Sequence, residues 1–77
     1  MAVTAYILVK SNTSEADRVK AAIESLDGVT GTDIVAGDVD FIAKVSVDSP
    51  GAVKDTVAGG IQPIDGVETT QTYIAMS

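Results

Sequence analysis

Apolar and polar positions alternate along the chain in blocks, and the period within each block identifies its conformation. Thr4-Ala5-Tyr6-Ile7-Leu8-Val9 is a nearly continuous β-prone run, too short for a helix, and it predicts a strand buried on both faces. Ser11-Asn12-Thr13-Ser14 then offers consecutive residues able to cap a helix, and Ser14 with Asp17 approximates a capping box. Over residues 15–26, Ala16, Val19, Ile23 and Leu26 share one face while Asp17, Lys20 and Glu24 share another, which predicts an amphipathic helix. Gly28 stands where a left-handed cap ends it. Residues 30–35 read as a second strand, polar enough for a sheet edge, and Gly37-Asp38 as a two-residue hairpin turn.

Phe41, Ala43, Val45 and Val47 then alternate with Ile42, Lys44 and Ser46, the clearest period-two segment of the chain. Ser49 as cap and Pro50 at the first helical position open a second helix with the apolar stripe Val53, Val57 and Ile61. Gly59-Gly60 and Pro63 are expected to stop it, and Gly66 precedes a last strand over residues 68–76. The order is strand, helix, strand, strand, helix, strand. A faint repeat supports it: Leu26-Asp27-Gly28-Val29 recurs 38 residues on as Ile64-Asp65-Gly66-Val67. Two similar βαβ halves predict an α+β, ferredoxin-like βαββαβ fold, a four-stranded antiparallel sheet with two helices on one face. Whichever sheet face meets the helices, the other keeps large apolar groups from Tyr6, Ile7, Leu8, Tyr73 and Ile74. Such a patch marks an interface, and a homodimer packed sheet to sheet is the expectation.

Size strengthens that expectation. Residues 1–77 make one domain. A chain of this length buries only about 60% of its unfolded surface, so its stability alone is marginal. With no Cys and no His, neither a disulfide nor a Cys/His zinc site is available to help, which leaves subunit association. The chain is 45% hydrophobic and 21% charged, as a folded domain is. No apolar run approaches the ~18 residues of a membrane span, and the N-terminus lacks a signal-peptide pattern, so a cytoplasmic protein away from membranes is expected. The net charge of −6, with only Lys10, Arg18, Lys20, Lys44 and Lys54 as bases, argues against direct nucleic-acid binding through phosphates. The Asp-rich, Lys-poor balance resembles proteins of salt-loving archaea, which stay soluble where salt screens repulsion.

Candidate chemistry is sparse. Without a His base or a Cys nucleophile the common catalytic arrangements are missing, and neither a GxxxxGK nor a GxGxxG motif occurs. No enzyme and no cofactor are expected. Asp38 and Asp40 flank a turn, but they lack the long ligand loop of an EF-hand and read as solvated acids rather than a metal site. A small-ligand site is the better candidate, built from Gly37-Asp38-Val39-Asp40 and Thr70-Gln71-Thr72, since period two sends both threonine hydroxyls to one face. A carboxylate suits an ammonium group, and hydroxyls with turn N–H groups suit a carboxylate, which together are the needs of an amino acid. The same residues also serve plain structure, because Thr favours strands and Gly-Asp favours turns.

These segments carry a likeness. From Thr4-Ala5-Tyr6-Ile7-Leu8-Val9 to Thr70-Gln71-Thr72-Tyr73-Ile74-Ala75-Met76, the chain resembles the effector-binding (RAM) domain of the Lrp/AsnC family of transcriptional regulators. Its most specific element is Val35-Ala36-Gly37-Asp38-Val39-Asp40-Phe41-Ile42-Ala43-Lys44-Val45, similar to the family's G-x-x-D hairpin and the strand after it. Asp27-Gly28-Val29 and Gly66-Val67-Glu68 fit the family's strand starts, while Val39 departs from it, because an aromatic residue is common there. The resemblance implies a dimer built through the sheets, with dimers joining into an octameric or decameric ring. It implies an amino-acid effector near the dimer–dimer contact, which points to Gly37, Asp40, Thr70 and Thr72. Family members with an N-terminal helix-turn-helix bind DNA; this chain begins at the first strand, so the expectation is a stand-alone form, possible partner of a full-length regulator. The alternatives are a purely structural assembly partner with no ligand, or an ACT-type amino-acid-binding domain, against which the G-x-x-D hairpin counts.

Overall fold

The computed structural model describes residues 2–76. Its elements are β1 (Val3–Ser11), α1 (Ala16–Glu24), β2 (Val29–Ile34), β3 (Phe41–Val47), α2 (Pro50–Thr56), a π-helical turn (Val57–Ile61) and β4 (Val67–Ile74). The strands form one antiparallel sheet in the order β2-β3-β1-β4. This is the expected α+β, ferredoxin-like arrangement, with β2 at an edge as its polarity suggests.

The core lies between the helices and one sheet face. Ala5, Ile7 and Val9 of β1 pair with Val45, Ala43 and Phe41 of β3, and all six are fully buried. Val19 and Ile23 from α1, Val53 from α2, and Val57 and Ile61 from the π-turn close over them. The apolar run in β1 is therefore buried on one face rather than two. Both helices lie on the same side, so Tyr6 stays 40% exposed on the other, as one face of an antiparallel sheet commonly does.

The 38-residue repeat is a repeat of structure. Leu26 N–H donates to Ile23 C=O (3.1 Å) and Val29 N–H to Leu26 C=O (3.3 Å); Ile64 and Val67 repeat this with Ile61 and Ile64 (both 3.1 Å). Each turn needs its glycine. Gly28 and Gly66 have φ of 90° and 101°, and a Cβ would lie 2.7 Å from Val47 Cγ1 or 2.6 Å from Thr13 Cγ2.

Local details differ from the sequence expectation in several places. Ser14 does not cap α1: Glu15 occupies the cap position with no side-chain bond, and Thr13 Oγ1 instead accepts from Glu15 N–H (3.1 Å). That i, i+2 bond competes with a capping geometry. The helix ends at Glu24, so Gly28 shapes the start of β2 rather than the cap itself. Gly37-Asp38 is not a two-residue turn, because the connection runs over residues 35–40 and closes through Val35 N–H to Asp40 C=O (2.9 Å). Gly59-Gly60 does not stop the second helix. The chain continues through the π-turn, with Gln62 N–H donating to Val57 C=O (2.9 Å), and Gly60 makes room for Leu26. By contrast, Ser49 caps α2 as expected: its hydroxyl accepts from Ala52 N–H (3.1 Å), with Pro50 in the first turn. Among the described residues, no helix is long and apolar enough to cross a membrane.

Candidate functional site

Asp40 closes the hairpin loop onto the end of β1. Its N–H donates to Val9 C=O (2.9 Å), and its Oδ2 accepts from Ser11 N–H (2.8 Å) and, at 3.4 Å, from the Ser11 hydroxyl. The regular β1–β3 ladder ends at Val9 and Phe41, and just beyond it the Asp40 side chain serves the Ser11 N–H in place of a ladder partner. The half-buried carboxylate thus has one oxygen engaged by the protein's own chain. Gly37, earlier in the loop, has φ of 155° and open space around the position where a Cβ would be, and Asp38 is exposed.

Thr70 and Thr72 stand on β4 opposite Val9 and Ile7, and so on the helix side of the sheet. Thr70 Oγ1 accepts a hydrogen bond from Gln62 Nε2 at 3.0 Å. Thr72 borders a groove between α2 and β4. Two halves of the expected site are therefore laid out separately within one subunit. Gly37 and Asp40 belong to the β2–β3 connection, Thr70 and Thr72 to β4, and β1 runs between them. Two strand spacings separate β3 from β4, roughly 10 Å.

Sequence reasoning overlooks Ser11 as the partner of Asp40, 29 residues away, because only strand pairing brings them together. It also overlooks Lys54 and Gln62, which join Thr72 at the groove. The i, i+8 spacing of these two on one helical stretch is the available signal, obscured by the apparent stop at Gly59-Gly60.

The Lrp/AsnC ligand binding domain model matches residues 4–77. A Thermus thermophilus protein of known crystal structure is 29% identical, with a TM-score of 0.92 over 97% of this chain and 94% of that one. AsnC of E. coli is 28% identical, with a TM-score of 0.90 over 97% of this chain and 51% of AsnC. A feast or famine regulatory protein from M. tuberculosis, complexed with L-methionine, shares the fold at 24% identity and a TM-score of 0.81, over 97% of this chain and 50% of that one. The chain thus spans about half the length of these two regulators. Among proteins of curated function, none matches.

Proposed function

Because the chain belongs to the Lrp/AsnC ligand-binding domain family, we propose that it is a stand-alone amino-acid-binding and oligomerisation module of a transcriptional regulatory system. It works without enzymatic chemistry, in the cytoplasm, and acts on transcription by joining a full-length regulator. The family match replaces the ACT-type alternative.

The observation that carries the reading is the pair of threonines: Thr70 and Thr72 offer two hydroxyls on one face of an edge strand. The L-methionine complex of the M. tuberculosis protein, which has this fold, supports an amino acid as ligand. In this reading Asp40 holds the effector's ammonium through Oδ1, Gly37 leaves the loop backbone open to the ligand, and Thr70 and Thr72 take the carboxylate end. Since β1 stands between the two groups, a single effector meets the loop of one subunit and the threonines of another. Assembly of dimers into a ring is then a condition of binding.

A thermal-shift screen of the twenty amino acids tests this, with Asp40→Asn as the variant. Asparagine keeps an oxygen for Ser11 but removes the charge, so the fold is preserved while ammonium binding is lost. A ligand at 100 times its Kd stabilises the assembly by about 2.7 kcal/mol. A selective shift in the wild type that Asp40→Asn abolishes is the expected result, whereas an equal shift in both removes Asp40 from the site. A second reading, an assembly partner with no ligand, is favoured by the engagement of Asp40 Oδ2 with Ser11. Silence towards every amino acid, from protein that is folded and assembled, would establish it.

A further inference from the structure

The sheet face turned away from the helices carries two rungs that cross all four strands. One runs Gly31, Lys44, Tyr6, Tyr73 through β2, β3, β1 and β4. The next runs Asp33, Ile42, Leu8, Gln71 in the same strand order. The first rung is uneven. A Cβ on Gly31 would meet nothing within 4 Å, so β2 leaves a gap there. That gap opens into a concavity of about 410 Å³, which Tyr6, Asp33, Ile42 and Lys44 also line. At the opposite edge the Tyr73 ring is 55% exposed. Between them Lys44 is exposed and forms no ion pair among the described residues. Lys44 and Asp33 are the charged residues of these rungs, so the patch is neutral on a chain of net charge −6. Two copies approach there without the repulsion that the rest of the surface imposes.

We infer that these rungs are a self-recognition code, read by a second copy about a two-fold axis that lies between the sheets, parallel to the strands. Sheets packed face to face keep their strands within about 30° of each other. Such an axis reverses the strand order, setting β4 of one copy over β2 of the other and β1 over β3. The rungs are complementary under that operation. Tyr73 of one copy fills the gap at Gly31 of the other, and Lys44 meets the face of the Tyr6 ring, an attractive pairing of cation and aromatic. On the next rung Ile42 meets Leu8, and the Gln71 amide donates to the Asp33 carboxylate. Each contact occurs twice, as an isologous interface requires. An axis perpendicular to the strands sets like strands over like. The gap then meets only β2, which has no aromatic ring, and Lys44 meets only β3, whose neighbours on this face are Ile42 and Ser46. That arrangement leaves a void and an unpaired cation, both unfavourable. The inference deepens the oligomerisation part of the proposed function and rests on it.

The chain has no cysteine, so placed thiols test the pairing on a clean background. Asp33→Cys and Gln71→Cys proteins are refolded from urea separately and as an equal mixture, checked by circular dichroism, and treated with a short bismaleimide. Within one chain the two positions lie three strand spacings apart, about 14 Å. A covalent dimer from the mixture, and little from either protein alone, is the expected result. Dimers from each variant alone, with no gain on mixing, place like strands over like and overturn the axis. Sedimentation then reads the first rung. Gly31→Leu fills the gap, with open space for its side chain in the subunit, and Lys44→Glu turns a carboxylate towards the Tyr6 ring. Each is expected to raise the dimer Kd roughly tenfold or more, while Lys44→Arg keeps it. Unchanged association of Gly31→Leu and Lys44→Glu overturns the code. A wild-type protein that assembles yet gives no cross-linked mixture overturns this pairing and leaves oligomerisation standing. A monomeric wild type overturns both.

Discussion

Thr32 is 5% exposed on β2, and its hydroxyl has no hydrogen-bond partner. It lies opposite Ala43, on the side of the sheet that the helices cover. A buried hydroxyl without a partner costs about 1–3 kcal/mol. Valine has nearly the same shape and no such cost. Thr32→Val is therefore expected to raise stability by about 1 kcal/mol, read as a higher urea midpoint at an unchanged m value. A lower midpoint would mean that the hydroxyl is served in the folded protein. The same residue scale shows what a sequence discloses about a site. Residue type and spacing pick out Asp40, Thr70 and Thr72, and the alternation of a strand correctly puts both threonines on one face. Spacing says nothing of Ser11, which becomes the partner of Asp40 only once the hairpin has folded onto β1. Nor does it say that the loop acid and the threonines lie to either side of that strand, since strand order is a property of the assembled sheet.

At the scale of elements, start signals are easier to read than stop signals. Ser49-Pro50 opens α2 by a local mechanism, a side chain bonding a backbone N–H three residues on, and the sequence carries everything that mechanism needs. Ser49→Ala is expected to cost about 1 kcal/mol, measured by urea or thermal unfolding, while Ser49→Asp keeps most of the stability because aspartate also caps. Gly59-Gly60 looks like a stop because glycine is a poor helix former. Tertiary packing decides otherwise: Ile61 is fully buried, and a Cβ on Gly60 would come within 3.0 Å of Leu26 Cδ1. The helix is carried past its weak residues by the core contacts beyond them. Ser14 fails as a cap for a different reason. Thr13 Oγ1 holds the Glu15 N–H, and the helix starts one residue later than a Ser14 cap requires, with Glu15 at the cap position.

For the molecule as a whole, the Cα radius of gyration of 11.4 Å agrees with the about 11.5 Å expected of a compact chain this long. Its open sheet face is nonetheless apolar. Tyr6 and Tyr73 stand opposite one another across β1 and β4, 40% and 55% exposed, and Leu8 and Ile42 continue the face on the next pair of rungs. If that face is where two copies meet, Tyr73→Asp places a charge in the contact and the protein sediments as a monomer in analytical ultracentrifugation. A wild-type protein that is itself monomeric at micromolar concentration would remove the sheet as the interface. The halves of the 38-residue repeat are also interleaved in the sheet. β1 pairs with β3 and β4, and β2 pairs with β3, so every ladder joins a strand of the first half to a strand of the second. Neither half owns a strand pair that would survive the loss of the other. The domain therefore cannot melt by halves, and the duplication visible in its sequence leaves no trace in its unfolding, which is a single cooperative event.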